Sequence, residues 1–156
     1  MLQDTGKRVI VEGFGDAVQQ VEGIPIVTAA VACDCPTAHH THILSFHEAL
    51  LIDGMKNHLL NPNQFRNRGL VVNEVPLQHL PPAERQLVCH SIVCPDPHLH
   101  IPLTLKGIMS GFETRLPTLE ETEDHEERHV TWVHFTSSEP WAVSYTHLTL
   151  PTILLV

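Results

Sequence analysis

The sequence predicts a mainly β fold on three grounds. Ile43, Leu44, Phe46, Ala49, Leu50, Leu51 and Ile52 form an almost unbroken apolar run, as expected of a strand buried on both faces. The run stops at Asp53-Gly54, a turn signal because glycine takes positive φ without steric cost. On either side of it, short β-branched runs alternate with glycine-, proline- and Asn/Asp-containing links, the pattern of strands joined by tight turns.

Taken in order, Val9-Ile10-Val11, lying between Gly6 and Gly15, is the first strand. Val18 to Val21 and Ile24 to Ala32 are two more, with Pro25 near the start of the second, where a missing ladder donor is tolerated. Cys33-Asp34-Cys35-Pro36-Thr37 reads as a turn. Beyond the long apolar strand and its Asp-Gly turn, Leu59 and Leu60 lead into Asn61-Pro62. Asn is a good N-cap and Pro fits the first helical position, where its absent N–H is not needed. Gln64, Phe65 and Arg66 continue the helix and Gly69 closes it at C′, giving a helix over about 62–68. Two turns are too few to stand alone, so this helix must lean on the strands around it. Leu70, Val71 and Val72 restart an extended segment. Short links throughout make the N-terminal half an antiparallel sheet or small barrel.

After Val75 the texture changes. Pro76, Pro81 and Pro82 interrupt the pattern, and Ala83 to Leu87 suits a turn of helix. Ser91-Ile92-Val93 and His100 to Leu105 read as two short strands, and Val130 to Phe135 as a final one. Thr118 with Glu121 has the capping-box spacing, which predicts a short acidic helix from Leu119 to about Arg128.

The decapeptide Val143-Ser144-Tyr145-Thr146-His147-Leu148-Thr149-Leu150-Pro151-Thr152 resembles a translated transposase-end sequencing adapter, whose reading frame GTC TCT TAT ACA CAT CTG ACG CTG CCG ACG gives the same residues. Residues 143–156 are therefore read as an artefact outside the fold, whose removal is expected to leave folding unchanged.

The 156 residues suffice for one domain with a real core. A formal charge of −9 argues against a nucleic-acid surface as the main partner. Much of the acid is local, at Glu113, Glu120, Glu121, Glu123, Asp124, Glu126 and Glu127, which reads as a solvated segment. Met1-Leu2-Gln3-Asp4 does not open a signal peptide and no apolar run approaches a membrane span, so the expected place is the cytoplasm, away from membranes. Cys33, Cys35, Cys89 and Cys94 are accordingly expected as reduced thiols.

Asp4-Thr5-Gly6 is the tripeptide of aspartic proteases, in which two carboxylates share one proton to activate water. That geometry needs an apolar strand leading in and a small residue following. Here Lys7 and Arg8 follow, and two cations would hold the carboxylate ionised. Asp4 therefore reads as part of a surface turn, and no catalytic residue is assigned. Cys33-x-Cys35 with His39, His40 and His42, helped by Cys89, His90 and Cys94, could be imagined around zinc. C-x-C is tighter than structural zinc spacing, so the cluster reads as unligated thiols and loop histidines, with no metal or cofactor expected. G-x-S-x-G, Walker, H-E-x-x-H and G-x-G-x-x-G motifs are not in the sequence, and no Ser or Cys carries a motif that would set a base against it. His47 and Glu48 are adjacent on a strand, hence on opposite faces. Arg66 and Arg68 read as a solvated helix face.

Two segments together resemble a known family. Gly6-Lys7-Arg8-Val9-Ile10-Val11-Glu12-Gly13-Phe14-Gly15, followed by Ile24-Pro25-Ile26-Val27-Thr28-Ala29-Ala30, resembles the middle of the retropepsin-like protease region of copia-type retroelement polyproteins. Glu48 to Phe65, continued by Gly69 and Val71, resembles the ending of that region: apolar strand, turn, short apolar stretch, helix. Ile101-Pro102-Leu103, Gly107 to Phe112, Arg115, Pro117 and Thr118 are similar to the spacer that follows the protease in a subset of these elements.

The resemblance implies a partial retropepsin-like small β-barrel over residues 6–75 and a proline-rich, acidic spacer over residues 76–142. The family is an aspartic endopeptidase that acts as a homodimer on polyprotein segments, each subunit giving one Asp from a D-[S/T]-G-A loop upstream of the G-x-x-V-x-V-x-G segment. In this sequence Gly6 to Gly13 already occupies that downstream segment, so the catalytic Asp carries over to no residue, and the fragment is expected to be inactive alone. The rival reading is a non-catalytic β interaction module whose acidic segment meets a partner. A zinc-stabilised module is the third.

Overall fold

The computed structural model describes residues 2–11, 21–35, 40–54, 58–86, 89–95, 99–123, 130–138 and 153–155. The chain is mainly β, as its sequence predicts. Strands β1 (Leu2–Val11), β2 (Val21–Asp34) and β3 (Thr41–Leu50) form an antiparallel meander, and β10 (Val130–His134) lies parallel to β3 on the far edge. A second sheet has the order β4 (His58–Leu60), β11 (Ile153–Leu155), β9 (Met109–Phe112), β8 (Thr104–Lys106). A third is the antiparallel meander β5 (Val71–Asn73), β6 (Ser91–Cys94), β7 (Leu99–Pro102). Helix α1 (Pro62–Asn67) joins β4 to β5, and α2 (Leu119–Glu123) precedes β10. Two single 3₁₀ turns, Leu77–His79 and Pro82–Glu84, fill the proline-rich link before β6.

The expected small barrel does not close: β1 and β10 are opposite edges of one open sheet among the described residues. The reason lies in β1. From Leu2 to Arg8 every residue is exposed, so this stretch has no apolar face to pack onto another sheet. Pairing slips from Asp4↔Val27 to Arg8↔Pro25, so three residues of β1 oppose one of β2. Gly6 sits at φ 78° in this bulge, a device that commonly ends useful pairing at a sheet edge.

The long apolar strand is β3, but it is buried on both faces only over His42–Phe46. Leu50 and Ile52 are exposed, beyond the reach of the core. The Asp53-Gly54 turn forms, with Gly54 at φ 80°. Helix α1 takes the expected cap. The Asn61 side chain accepts from the Asn63 N–H at 3.0 Å, Pro62 occupies the first turn, and Gly69 follows the end at φ 88°. Asn61→Ala is expected to cost about 1 kcal/mol. Asn63→Ala, which removes only an exposed contact from Arg66 to Asn63 Oδ1, should cost much less. A urea series showing equal midpoint losses would count against the capping role.

Other expectations shift in detail. The sequence places Cys33 and Asp34 in a turn, but both belong to the end of β2, while Pro36 and Thr37 lie outside the described residues. Of Val18–Val21, Val21 opens β2 and the rest lies outside them. His100 to Leu105 divides between β7 and β8, and Met109–Phe112, not foreseen as a strand, pairs with β8. The acidic helix is α2, described as far as Glu123. Ile153–Leu155, read from sequence as outside the fold, pairs antiparallel with β4 and parallel with β9.

One principal core crosses the expected boundary at residue 75. Cys33, Leu44, Phe46, Phe65, Leu70 and Val72 pack in a single cluster with Ile92, Cys94, Leu99, Ile101, Leu103, Phe112, Val133 and Phe135. The segment read as a spacer thus supplies more than half of the hydrophobic centre. On the opposite face of the first sheet a smaller cluster gathers Ala30, Ala32 and Ile43 against Val130 and Trp132.

Candidate functional site

Asp4 is the one carboxylate that the sequence holds up for catalysis. The structure puts it in the β1 bulge, where its Oδ1 accepts from the Gly6 N–H at 2.8 Å. The Arg8 guanidinium grips both oxygens, at 2.9 and 2.8 Å. The Arg8 bond first, and the Gly6 N–H second, hold the carboxyl below its ordinary value. Lys7, the other cation expected beside it, turns away to Glu48 at 2.8 Å. An exposed, doubly bonded carboxylate favours its ionised form, whereas sharing a proton requires a second carboxylate in a desolvated cleft.

The thiols and histidines of the imagined zinc cluster go to different places. Cys33 and Cys94 are buried in the principal core. Burial pushes their thiols up to about 11 and about 12, which keeps them protonated and poor as ligands. His42 is buried on β3, and burial lowers its pKa. Cys35 and Cys89 are half-buried and unbridged, Cys89 donating its S–H to the Glu84 carbonyl at 3.2 Å. His39 lies outside the described residues. No three His, Cys, Asp or Glu side chains among the described residues stand together as a metal set.

Two Ser–His pairs, which sequence reasoning missed, do form. Ser110 Oγ lies 2.8 Å from Nε2 of His90, deep in the fold, where His90 adopts φ 51° and its carbonyl accepts from Leu103 N–H at 2.8 Å. Burial lowers the His90 pKa, so the ring is held neutral and the pair is a buried polar contact. The second pair is Ser45 with His134, whose Nδ1 is 2.6 Å from Ser45 Oγ. Both serines are buried, Ser45 at 3% and Ser110 at 8% exposure.

The Ser45 pair belongs to a larger polar group on the first sheet. Parallel pairing sets His134 opposite Ser45, and the alternation of β3 puts His47 on the same face as Ser45. His47 Nε2 lies 3.5 Å from His134 Nδ1, and its Nδ1 lies 3.4 Å from Thr28 Oγ1 on β2. Thr136 Oγ1 accepts from the His47 backbone N–H at 2.7 Å and donates to its carbonyl at 3.1 Å, fixing the strand beneath the ring. Burial first, then His134 and Arg68, lower the His47 pKa. Glu48, with φ 56°, leaves the regular pleat and reaches Lys7 instead. Only the shared face of Ser45 and His47 could be read from the sequence. His134 comes from a strand 89 residues away from Ser45.

The strongest ionic network joins the two halves of the chain. Arg115 pairs with the backbone of Ala32 in both directions, at 2.9 and 3.0 Å. Its guanidinium is bidentate to Asp34, at 2.7 and 2.9 Å, and to Glu121, at 2.6 and 2.9 Å. Glu121 also closes the capping box with Thr118, at 2.8 and 3.3 Å. Arg115 holds the Glu121 carboxyl down to about 2 and lowers Asp34. Part of the acidic segment is therefore neutralised within the chain. Arg66 likewise is more than a solvated cation, bonding the Val72 carbonyl at 3.1 Å and Glu74 at 3.3 Å.

No family model matches this chain, and neither a curated protein nor a solved structure does. No helix among the described residues is long and apolar enough to cross a membrane.

Proposed function

We propose that the chain is the distal part of a retropepsin-like region of a copia-type retroelement polyprotein, followed by its spacer, and that it hydrolyses no peptide by itself. The observation that carries the second half is the Asp4 carboxylate, closed at both oxygens by Arg8 on an exposed sheet edge. The first half rests on the sequence resemblance. The order of elements supports it: strand β3, an Asp-Gly turn, short β4, capped α1 and β5 follow one another as the family's ending would. In the complete region the reaction would be cleavage of polyprotein segments by an activated water between two carboxylates of a homodimer.

The test is a peptide-library digest by the purified chain from mildly acidic to neutral pH, with and without a statine-type transition-state analogue. No inhibitable cleavage is expected. Cleavage that the analogue blocks and that Asp4→Asn abolishes would make Asp4 catalytic and overturn the proposal.

A further inference from the structure

We propose that His47 and His134 form a binding site for an imidazole-preferring divalent transition ion of the zinc class, held between Nε2 of His47 and Nδ1 of His134. The two nitrogens are 3.5 Å apart while the ring centroids are 5.6 Å apart, so the nitrogens are the facing edges of the two rings. An ion at the usual zinc–nitrogen length of about 2.0–2.1 Å from each would see them at roughly 115°, close to the tetrahedral angle. The rings arrive at this spacing without help from a mobile loop. His47 is on β3 and His134 on β10, adjacent strands in register, and Thr136 locks the His47 backbone.

The surroundings suit imidazoles acting as ligands. Thr28 Oγ1 lies beside His47 Nδ1. If that nitrogen carries the proton and donates to the hydroxyl, the lone pair of Nε2 is left for the ion, as outer partners commonly arrange for metal-bound histidines. His134 is exposed, so an ion reaches the site from solvent. Ser45 Oγ, 2.6 Å from His134 Nδ1, competes with the ion for that nitrogen and gives up the bond when the ion takes the lone pair. Two protein nitrogens and open positions for water make a weaker site than a four-ligand structural one. Arg68, close enough to act on His47, opposes the added charge.

The test is zinc titration of the full chain at neutral pH, read by nitrogen-15 shifts of the imidazoles so that each of the 13 histidines is separate. The rings of His47 and His134 should shift together and first, with equimolar zinc, and magnesium should move neither. His134→Gln and His47→Gln should each weaken binding at least tenfold, while His58→Gln on β4 leaves it unchanged. Arg68→Gln should tighten it. Should either Gln variant fail to fold, the shifts in the unaltered chain and the Arg68→Gln result still decide. Zinc that shifts other histidines first, or binds both Gln variants as tightly as the unaltered chain, overturns the site.

Discussion

Phe135→Ala is expected to be the most damaging single substitution in this chain. Phe135 is fully buried, with its ring centroid 5.2 Å from Phe65, 5.3 Å from Phe46 and 6.5 Å from Phe112. These partners come from α1, β3 and β9, so one ring holds together a helix and strands of two different sheets. The edge-on contact with Phe65, at 80° between planes, is of the kind favoured by aromatic quadrupoles. Truncation to Ala removes the buried area and leaves a cavity that three large neighbours cannot fill, a loss of about 3–5 kcal/mol. Against a typical domain stability of about 5–15 kcal/mol, that is about a fifth or more of the total. Phe135→Leu, which keeps most of the volume, should cost about 1.5 kcal/mol or less. Urea unfolding followed by tryptophan fluorescence measures both, with Ile108→Ala as a control because Ile108 is 97% exposed. A Phe135→Ala midpoint no lower than the Ile108→Ala midpoint would mean that the aromatic cluster does not hold the sheets together.

The aromatic cluster joins residues that no local sequence signal pairs. Local chemistry was legible: the Asn61-Pro62 start and Gly69 end of α1, the Asp53-Gly54 turn, and the Thr118–Glu121 box all depend on residues within three or four positions of one another. So did the mainly β character, which follows from the apolar and β-branched runs. Partnership across the chain was not legible. Phe135 reads as the end of a strand, and nothing in its neighbours says that it meets Phe65. Arg115 falls in a stretch matched by resemblance, yet its partner Asp34 is 81 residues away. His134 falls within the predicted final strand, and only the parallel register of β10 on β3 brings it to Ser45 and His47. Barrel closure failed as an expectation because it required β1 to carry an inward apolar face, and the Gln3–Arg8 stretch has none. The tail read as lying outside the fold supplies β11, an inner strand between β4 and β9, a partnership that depends on edges offered by segments far away in the sequence.

Arg115→Ala is expected to destabilise the chain by about 1–2 kcal/mol at neutral pH and to flatten its acid dependence. The guanidinium carries two bidentate carboxylate pairs, the geometry in which arginine bonds are strongest. Its side chain is 40% exposed and that of Asp34 58%, so screening by water reduces what the contacts contribute, although Glu121 at 16% is better shielded. Removing the cation leaves two carboxylates facing each other beside the capping box, which is why the loss exceeds that of an isolated surface pair. The direction with pH follows from the carboxylates. Arg115 holds Glu121 at about 2, below its ordinary 4.5, and holds Asp34 below its ordinary 3.8. A carboxylate depressed by folding contributes stability that is complete above its unfolded pKa and disappears as pH falls through its folded one. The network's contribution should therefore be full from neutral pH down to about 5 and fade from there to about 2. In Arg115→Ala that part of the acid slope should be gone, and the two unfolding curves should converge towards pH 2. Arg115→Lys keeps the charge but not the fork, and should retain the acid slope while recovering only part of the neutral-pH stability. Parallel slopes for Arg115→Ala and the unaltered chain between pH 5 and 2 would show that the depressed carboxylates owe nothing to Arg115.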